Sequence, residues 1–275
     1  MSANSALRRS VKLAASRFMG DGSYSWLQAL AMAWDVKRQS WAEPEMELIE
    51  TCVNPGDWVL DVGAHYGMWT HRLDRAVGPS GRVFAFEPVP FTFSTLCKVS
   101  RLLGFNNVEL LSKGCAEVSC KAEFTIEVQN NGKISAGQSH ISSRVDDRPG
   151  RDIHVRHDHL ESVHVDLVRI DDVIQLDAPV SFIKMDIEGA ELFALKGASD
   201  LLESCHPTLV LEINPWFLRG FNLDVDQLVD FLSGFGYQLY RFDSEIHKLK
   251  KIDVVDVVED NYVFVHPSRC PSFGI

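Results

Sequence analysis

Apolar residues first fall into a regular period near the start of the chain, where Trp26, Leu27, Leu30, Ala31 and Trp34 recur at three-and-four spacing. That spacing predicts an amphipathic helix over residues 24–39, laid with one face on a larger body. A second helix is predicted over residues 43–52, with Pro44 in its first turn, where the missing N–H removes no bond. Asn54-Pro55-Gly56 then breaks the pattern, and the apolar run 58–62 reads as a buried strand. Beyond it, short apolar runs alternate with helical periods. Strands are predicted at 82–86, 108–111, 180–186 and 207–213, and helices at 91–103, 190–202 and 225–234. Such alternation predicts a parallel sheet covered by helices on both faces. The last runs, 237–242 and 261–265, have too little helix between them for a parallel crossover, so the sheet should end antiparallel. Two more strands, 120–128 and 164–170, flank a stretch bearing Gly, Ser and His without a period, which reads as an inserted loop.

Length turns this pattern into a domain plan. At 275 residues the chain suits one large α/β domain with additions, since single cores grow to roughly 250 to 300 residues before dividing. The division expected is an N-terminal arm and capping helix over 1–45, then one domain over 46–275 with an insertion at about 118–170. The formal net charge of −11 disfavours a nucleic-acid partner, because most of the surface would repel phosphates. The six cysteines are scattered, with no Cys-x-x-Cys pair, which fits a reducing, cytoplasmic setting. No stretch is apolar for the roughly 18 residues that a membrane span needs. The first twenty residues hold Arg8, Arg9, Lys12 and Arg17 and no acid, and read as a solvated arm or a segment addressed to an anionic surface.

The chemistry begins where the first core strand ends, at Asp61-Val62-Gly63-Ala64-His65-Tyr66-Gly67. Glycines at such a strand-to-helix turn let the backbone bend tightly and approach a ligand. Glu87 ends the next strand, twenty residues past Gly67, where a carboxylate can accept hydrogen bonds from both hydroxyls of a ribose. An adenosine cofactor satisfies both features. A dinucleotide turn wants Gly-x-Gly so that backbone can touch a diphosphate, and His65 occupies that middle place. S-adenosylmethionine, which has no phosphate and carries a sulfonium and an ammonium, suits an acidic neighbourhood such as Asp61 and Asp186 better. The plainer alternative makes Asp61 a helix cap and Glu87 a solvated strand end.

In this arrangement the chain resembles the FkbM-type methyltransferases over roughly residues 46–266. Val59-Leu60-Asp61-Val62-Gly63-Ala64-His65-Tyr66-Gly67 looks like that family's cofactor turn, Phe86-Glu87-Pro88 like its ribose strand, and Arg169-Ile170-Asp171-Asp172 like the segment before its fourth core strand. The most specific match is Phe182-Ile183-Lys184-Met185-Asp186-Ile187-Glu188-Gly189-Ala190-Glu191, followed by Val210-Leu211-Glu212-Ile213-Asn214. The resemblance implies a Rossmann-like class I methyltransferase fold, a seven-stranded mostly parallel sheet with an antiparallel last strand, N-terminal helices and an inserted β-hairpin or loop. It further implies methyl transfer from S-adenosylmethionine to a hydroxyl of a sugar or another natural product. The cofactor set on this reading is Asp61, Gly63, Ala64, His65, Tyr66, Gly67, Glu87, Pro88, Glu117 and Asp186. His65 stands where the family commonly has asparagine, and Asn214 where it commonly has histidine.

Lys184, Asp186 and Glu188 alternate along the fourth core strand and its continuation, with Glu191 a helical turn later. Four charges at the end of a buried strand are costly unless they pair or bind something. Asp186 is the expected general base, Glu188 and Glu191 should shape an acceptor pocket, and Lys184 should be tied to a carboxylate. The competing reading is an ion pair plus helix-start carboxylates. Asp186, Glu212 and Asn214 would offer oxygen ligands for Mg²⁺ as in catechol-type O-methyltransferases, a metal that the resemblance does not require. His154, His157, His159 and His164 invite a zinc reading, although nothing fixes them on one face and a solvated loop suits them better. The loop over 130–137 is a lid or an ordinary hairpin excursion. Asn214-Pro215-Trp216-Phe217 is similar to the Asn-Pro-Pro-aromatic motif of amide and amine N-methyltransferases, but it follows the fifth strand and lacks the second proline. A fold that has lost catalysis and serves only as a binding partner is the remaining alternative. The acceptor, small molecule or glycan, and the oligomeric state carry no code in the sequence.

Overall fold

The computed structural model describes residues 21–128, 134–141, 159–175 and 178–274. Its main body is an eight-stranded sheet in the order β3-β2-β1-β8-β9-β12-β10-β11. Five strands run parallel: β1 (Trp58–Val62), β2 (Arg82–Phe86), β3 (Val108–Leu111), β8 (Val180–Met185) and β9 (Thr208–Ile213). β12 (Asp260–Val265) inserts antiparallel between β9 and β10 (Gln238–Asp243), and β11 (Lys248–Lys251) closes the edge against β10. The antiparallel ending expected from the short spacing is therefore present. β11 is an eighth strand beyond the seven expected. It reads Lys-Leu-Lys-Lys with only Leu249 buried, and lysines on an edge strand protect it from further pairing.

The central strands are apolar on both sides because both faces are covered. Val180–Met185 is buried at all six positions. One face packs on Leu195, Leu202, Leu228 and Leu232 of the helices α6 (Glu191–Lys196), α7 (Ser199–Cys205) and α9 (Val225–Gly234). The other packs on the N-terminal helix α1 (Asp21–Arg38), the single turn α2 (Ile49–Cys52) and α3 (Met68–Val77), through Ala29, Ala33, Ile49 and Leu73. α4 (Pro90–Leu103) follows β2, α5 (Ile170–Val173) precedes β8, and α8 (Pro215–Arg219) follows β9.

Several expected boundaries move for local reasons. The helix placed at 43–52 is a 3₁₀ turn, Pro44–Leu48, leading into α2. The one placed at 190–202 is broken into α6 and α7 at Gly197, where an added Cβ would lie 2.1 Å from the Ala116 carbonyl oxygen. The insertion is more than a loop. β5 (Cys120–Val128) pairs antiparallel with β7 (His159–Val168) and with β6 (Ile134–Ile141), and β4 (Gly114–Cys115) joins β7 to complete a second, four-stranded sheet. The strand placed at 164–170 therefore starts earlier and stops at Val168. Half of the loop assigned to 130–137 is the start of β6, while residues 129–133 lie outside the described residues, as do 1–20 and 151–158. His164 is exposed on β7 opposite Glu123. Among the described residues no helix is long and apolar enough to cross a membrane.

Candidate active site

The strand order reverses between β1 and β8, and in open α/β sheets ligands bind beyond the carboxyl ends of the strands at that point. A cavity of about 270 Å³ lies there. Its wall includes Asp61, Gly63, Ala64, His65 and Tyr66 from the turn after β1, Glu87 and Pro88 from the end of β2, and Lys184, Asp186 and Glu188 from β8 and its continuation.

The turn is set by its own backbone. Gly63 has φ +86°, and a Cβ there would stand 1.9 Å from the Asp186 carbonyl oxygen, so the turn lies directly against the end of β8. The glycine thus admits a neighbouring strand as well as any ligand. Gly67, at φ +89°, starts α3. His65 also takes a left-handed φ of +50°, and its N–H donates to Glu87 Oε2 at 3.0 Å. Glu87 Oε1 accepts the Val89 N–H at 2.9 Å. The two backbone donors fix the Glu87 carboxylate where it faces the cavity, and burial pushes its pKa up to about 8 against their opposing effect. Asp61 is fully enclosed and accepts the Thr70 hydroxyl, and burial raises it to about 6.

One end of the cavity is apolar, formed by Val89, Cys115, Phe124 and Leu167, the last two from the inserted sheet. Val89, Phe124 and Leu167 pack together in one cluster with Ile126 and Val165. The other end is aromatic and charged, with Trp41, Glu43, Trp69 and Lys184. Lys184 is 2% exposed. Its Nζ donates to Asn261 Oδ1 at 3.0 Å, lies 3.8 Å from Glu43 Oε2 and sits 5.6 Å from the centre of the Trp69 ring. Burial disfavours the ammonium, but Asp186, Glu43, Glu212 and Asp61 together outweigh it and hold the pKa above the ordinary lysine value. Glu43 Oε2 also accepts from Trp69 Nε1 at 3.1 Å and from Asn261 Nδ2 at 2.9 Å.

Asp186 and Glu212 share a hydrogen bond between their carboxyl groups. Two carboxylates this close cannot both ionise easily, so one proton stays with the pair. Glu212 holds it: the bond to Asp186 and burial push Glu212 up. Burial also opposes the charge on Asp186, but Lys184 and the Glu212 proton overcome that and keep it below the ordinary carboxylate range.

Five residues named from the sequence, Gly67, Glu117, Glu191, Glu212 and Asn214, are off the cavity wall. Glu191 is not on the cavity wall; its Oε1 accepts the N–H groups of Ile187 at 3.1 Å and Gly189 at 3.2 Å, bracing the loop that carries Glu188. Glu117 is half-exposed, off the wall, and 3.8 Å from Lys196. Asn214 uses its side-chain oxygen to cap α8, accepting from Trp216 N at 2.9 Å and Phe217 N at 3.3 Å, which takes it from the oxygen set considered for Mg²⁺. Among the described residues no group of three His, Cys, Asp or Glu side chains is placed to hold a metal.

A model of the FkbM methyltransferase domain matches residues 61–239, from the acid near the end of β1 to the start of β10. The chain belongs to the FkbM methyltransferase family. An FkbM methyltransferase from Methylobacillus flagellatus KT overlays at a TM-score of 0.48 with 19% identity, covering 93% of this chain and 58% of that one. Methyltransferase 1 of Beauveria bassiana is 28% identical over 149 residues, 52% of this chain and 59% of the fungal one. A tRNA (adenine(58)-N(1))-methyltransferase catalytic subunit of Cryptococcus neoformans is 38% identical over 72 residues, 26% of this chain and 16% of its own. The chain therefore spans under three fifths of the length of each of these relatives. Trp41 and Glu43 lie before the matched FkbM region and were not singled out from the sequence. Their signal was available only as a carboxylate able to answer a buried lysine.

Proposed function

We propose that this chain is an S-adenosylmethionine-dependent methyltransferase whose acceptor is a hydroxyl of a sugar or another natural product. The observation that carries the reading is Glu87, a buried carboxylate fixed by two backbone N–H groups and facing a cavity at the strand-order reversal. The residues present fit the cofactor. Glu87 would accept from the ribose hydroxyls, beside an apolar slot of Val89, Phe124 and Leu167 suited to a purine. Asp61, Asp186 and Glu188 supply an acidic lining for the sulfonium and ammonium, and no diphosphate has to be accommodated beside His65.

When bound, S-adenosylmethionine supplies an electrophilic methyl group. Asp186 would take the proton of the acceptor hydroxyl, because such a hydroxyl is scarcely ionised at neutral pH. Glu212 stays protonated and donates its hydrogen bond to the Asp186 carboxylate, and Lys184 balances the charge from within the protein. Glu188, at φ +58°, lines the same cavity and would shape the acceptor pocket. Holding the reacting atoms in line would supply ~7 to 11 kcal/mol of the barrier. Incubation with methyl-labelled cofactor and fractionated cell extract, followed by identification of the labelled product, tests the reading. Label on an oxygen of a small molecule or glycan supports it. Label on peptide amide, RNA or DNA nitrogen alone sinks the hydroxyl acceptor, and calorimetry without cofactor binding sinks the activity.

A further inference from the structure

The solvent-facing side of α1 is a ridge. From Trp26 onward its exposed residues are Trp26, Leu30, Trp34, Lys37 and Arg38, and steps of three and four put them on one side of the helix. Trp26, Leu30 and Trp34 are 42%, 52% and 55% exposed, while Ala29, Ala33 and Val36 on the other side are buried in the core. Two tryptophans and a leucine thus stand in water along about 12 Å of helix. Cations frame them. Lys98 of α4 lies 5.9 Å from the centre of the Trp26 ring, and Arg38 5.2 Å from that of Trp34. The chain as a whole, by contrast, carries a net charge of −11.

We propose that this ridge docks the protein on an anionic lipid bilayer, with Trp26, Leu30 and Trp34 set into the headgroup boundary and the flanking cations on lipid phosphates. Charge complementarity selects this occupant. An acidic body is repelled by an anionic surface everywhere except at such a face, so the ridge also sets the orientation. A second copy placed ridge to ridge would oppose Lys37, Arg38 and Lys98 with the same cations, and the basic first twenty residues laid across them would meet like charge. A phosphate polymer would use the cations but leave the three apolar side chains unserved. Tryptophan suits the boundary because its ring body is apolar and its N–H polar. α1 is also tied to the cofactor turn, since Gln28 Nε2 donates to the Tyr66 hydroxyl at 3.3 Å. A docked helix would therefore hold the cavity at a set height above the lipid.

The test is co-sedimentation of the full chain with vesicles of phosphatidylcholine containing about one third phosphatidylglycerol, against phosphatidylcholine alone. Binding to the mixed vesicles is expected, weakening as salt rises, with a blue shift of tryptophan emission. The combined variant Trp26→Ser, Leu30→Glu, Trp34→Ser should bind about tenfold or more weakly, while its melting temperature is retained because these side chains are exposed. Equal binding to both vesicle types, no binding, or undiminished binding of the variant overturns the proposal. So does concentration-dependent dimerisation that Leu30→Glu abolishes in a protein that ignores vesicles, or a preference for duplex DNA over them.

Discussion

Gly63→Ala isolates what holds the cofactor turn against the end of β8. Two costs add. A left-handed backbone costs an L-residue roughly 1 to 2 kcal/mol, and the φ of +86° at Gly63 incurs it. The new Cβ, 1.9 Å from the Asp186 carbonyl oxygen, meets backbone that cannot swing away, and forced overpacking of this kind costs typically 1 to 3 kcal/mol. The sum is about 2 to 5 kcal/mol, or roughly 4 to 10 °C of melting temperature at about 2 °C per kcal/mol for a chain of this size. Gly104→Ala is the internal control. It sits at φ +68° with nothing within 4 Å of an added Cβ, so it should show the backbone cost alone, about 2 to 4 °C. Thermal unfolding gives the stabilities, and titration calorimetry with S-adenosylmethionine should show cofactor affinity falling in Gly63→Ala but unchanged in Gly104→Ala. Equal destabilisation by the two, with affinity intact in both, would refute the close approach of turn and strand.

Above about pH 8, where Glu87 is ionised, Glu87→Ala should weaken cofactor binding by ~1.5 to 3 kcal/mol, the range for hydrogen bonds to a charged group, again by calorimetry. Because burial raises Glu87 to about 8 from 4.5, its contribution to the stability of the ligand-free protein is fully present below pH 4.5. That contribution is lost as pH rises through about 8; Glu87→Gln should therefore flatten the fall in urea-unfolding free energy between those limits, and an unchanged slope would count against it. Asp186→Asn should lower turnover far more than cofactor affinity, and a variant with full kcat would remove Asp186 from proton transfer. Turnover after exhaustive EDTA dialysis is expected to be unchanged, since Asn214 is committed to capping α8; activity lost and then restored by Mg²⁺ would reverse that reading.

The parts legible in the sequence were those that read as short apolar runs. Trp58–Val62, Arg82–Phe86 and Val108–Leu111 have the predicted limits, because each apolar run ends where polar residues or glycine resume. β6 and β11 were missed for the opposite reason: Ile-Ser-Ala-Gly-Gln-Ser-His-Ile and Lys-Leu-Lys-Lys lie at sheet edges and carry no run of apolar residues. At the site, spacing placed Asp61, Glu87, Lys184 and Asp186 around one cavity. Spacing says nothing of where a side chain turns. Glu191 bends back to its own loop, Glu117 reaches Lys196, and the proton shared by Asp186 and Glu212 depends on two strand ends lying side by side.

Glu43 makes the early segment of the chain part of the cavity floor. A protein trimmed to begin at Met46 would retain every strand, yet it would strip a dry ammonium of its nearest counter-charge and leave the Trp69 and Asn261 donors unanswered. Shortened versions made for crystallisation or engineering should therefore keep the chain from α1 through Pro44, which preserves both the packing of Ala29, Ala33 and Val36 and the Glu43 partner of Lys184.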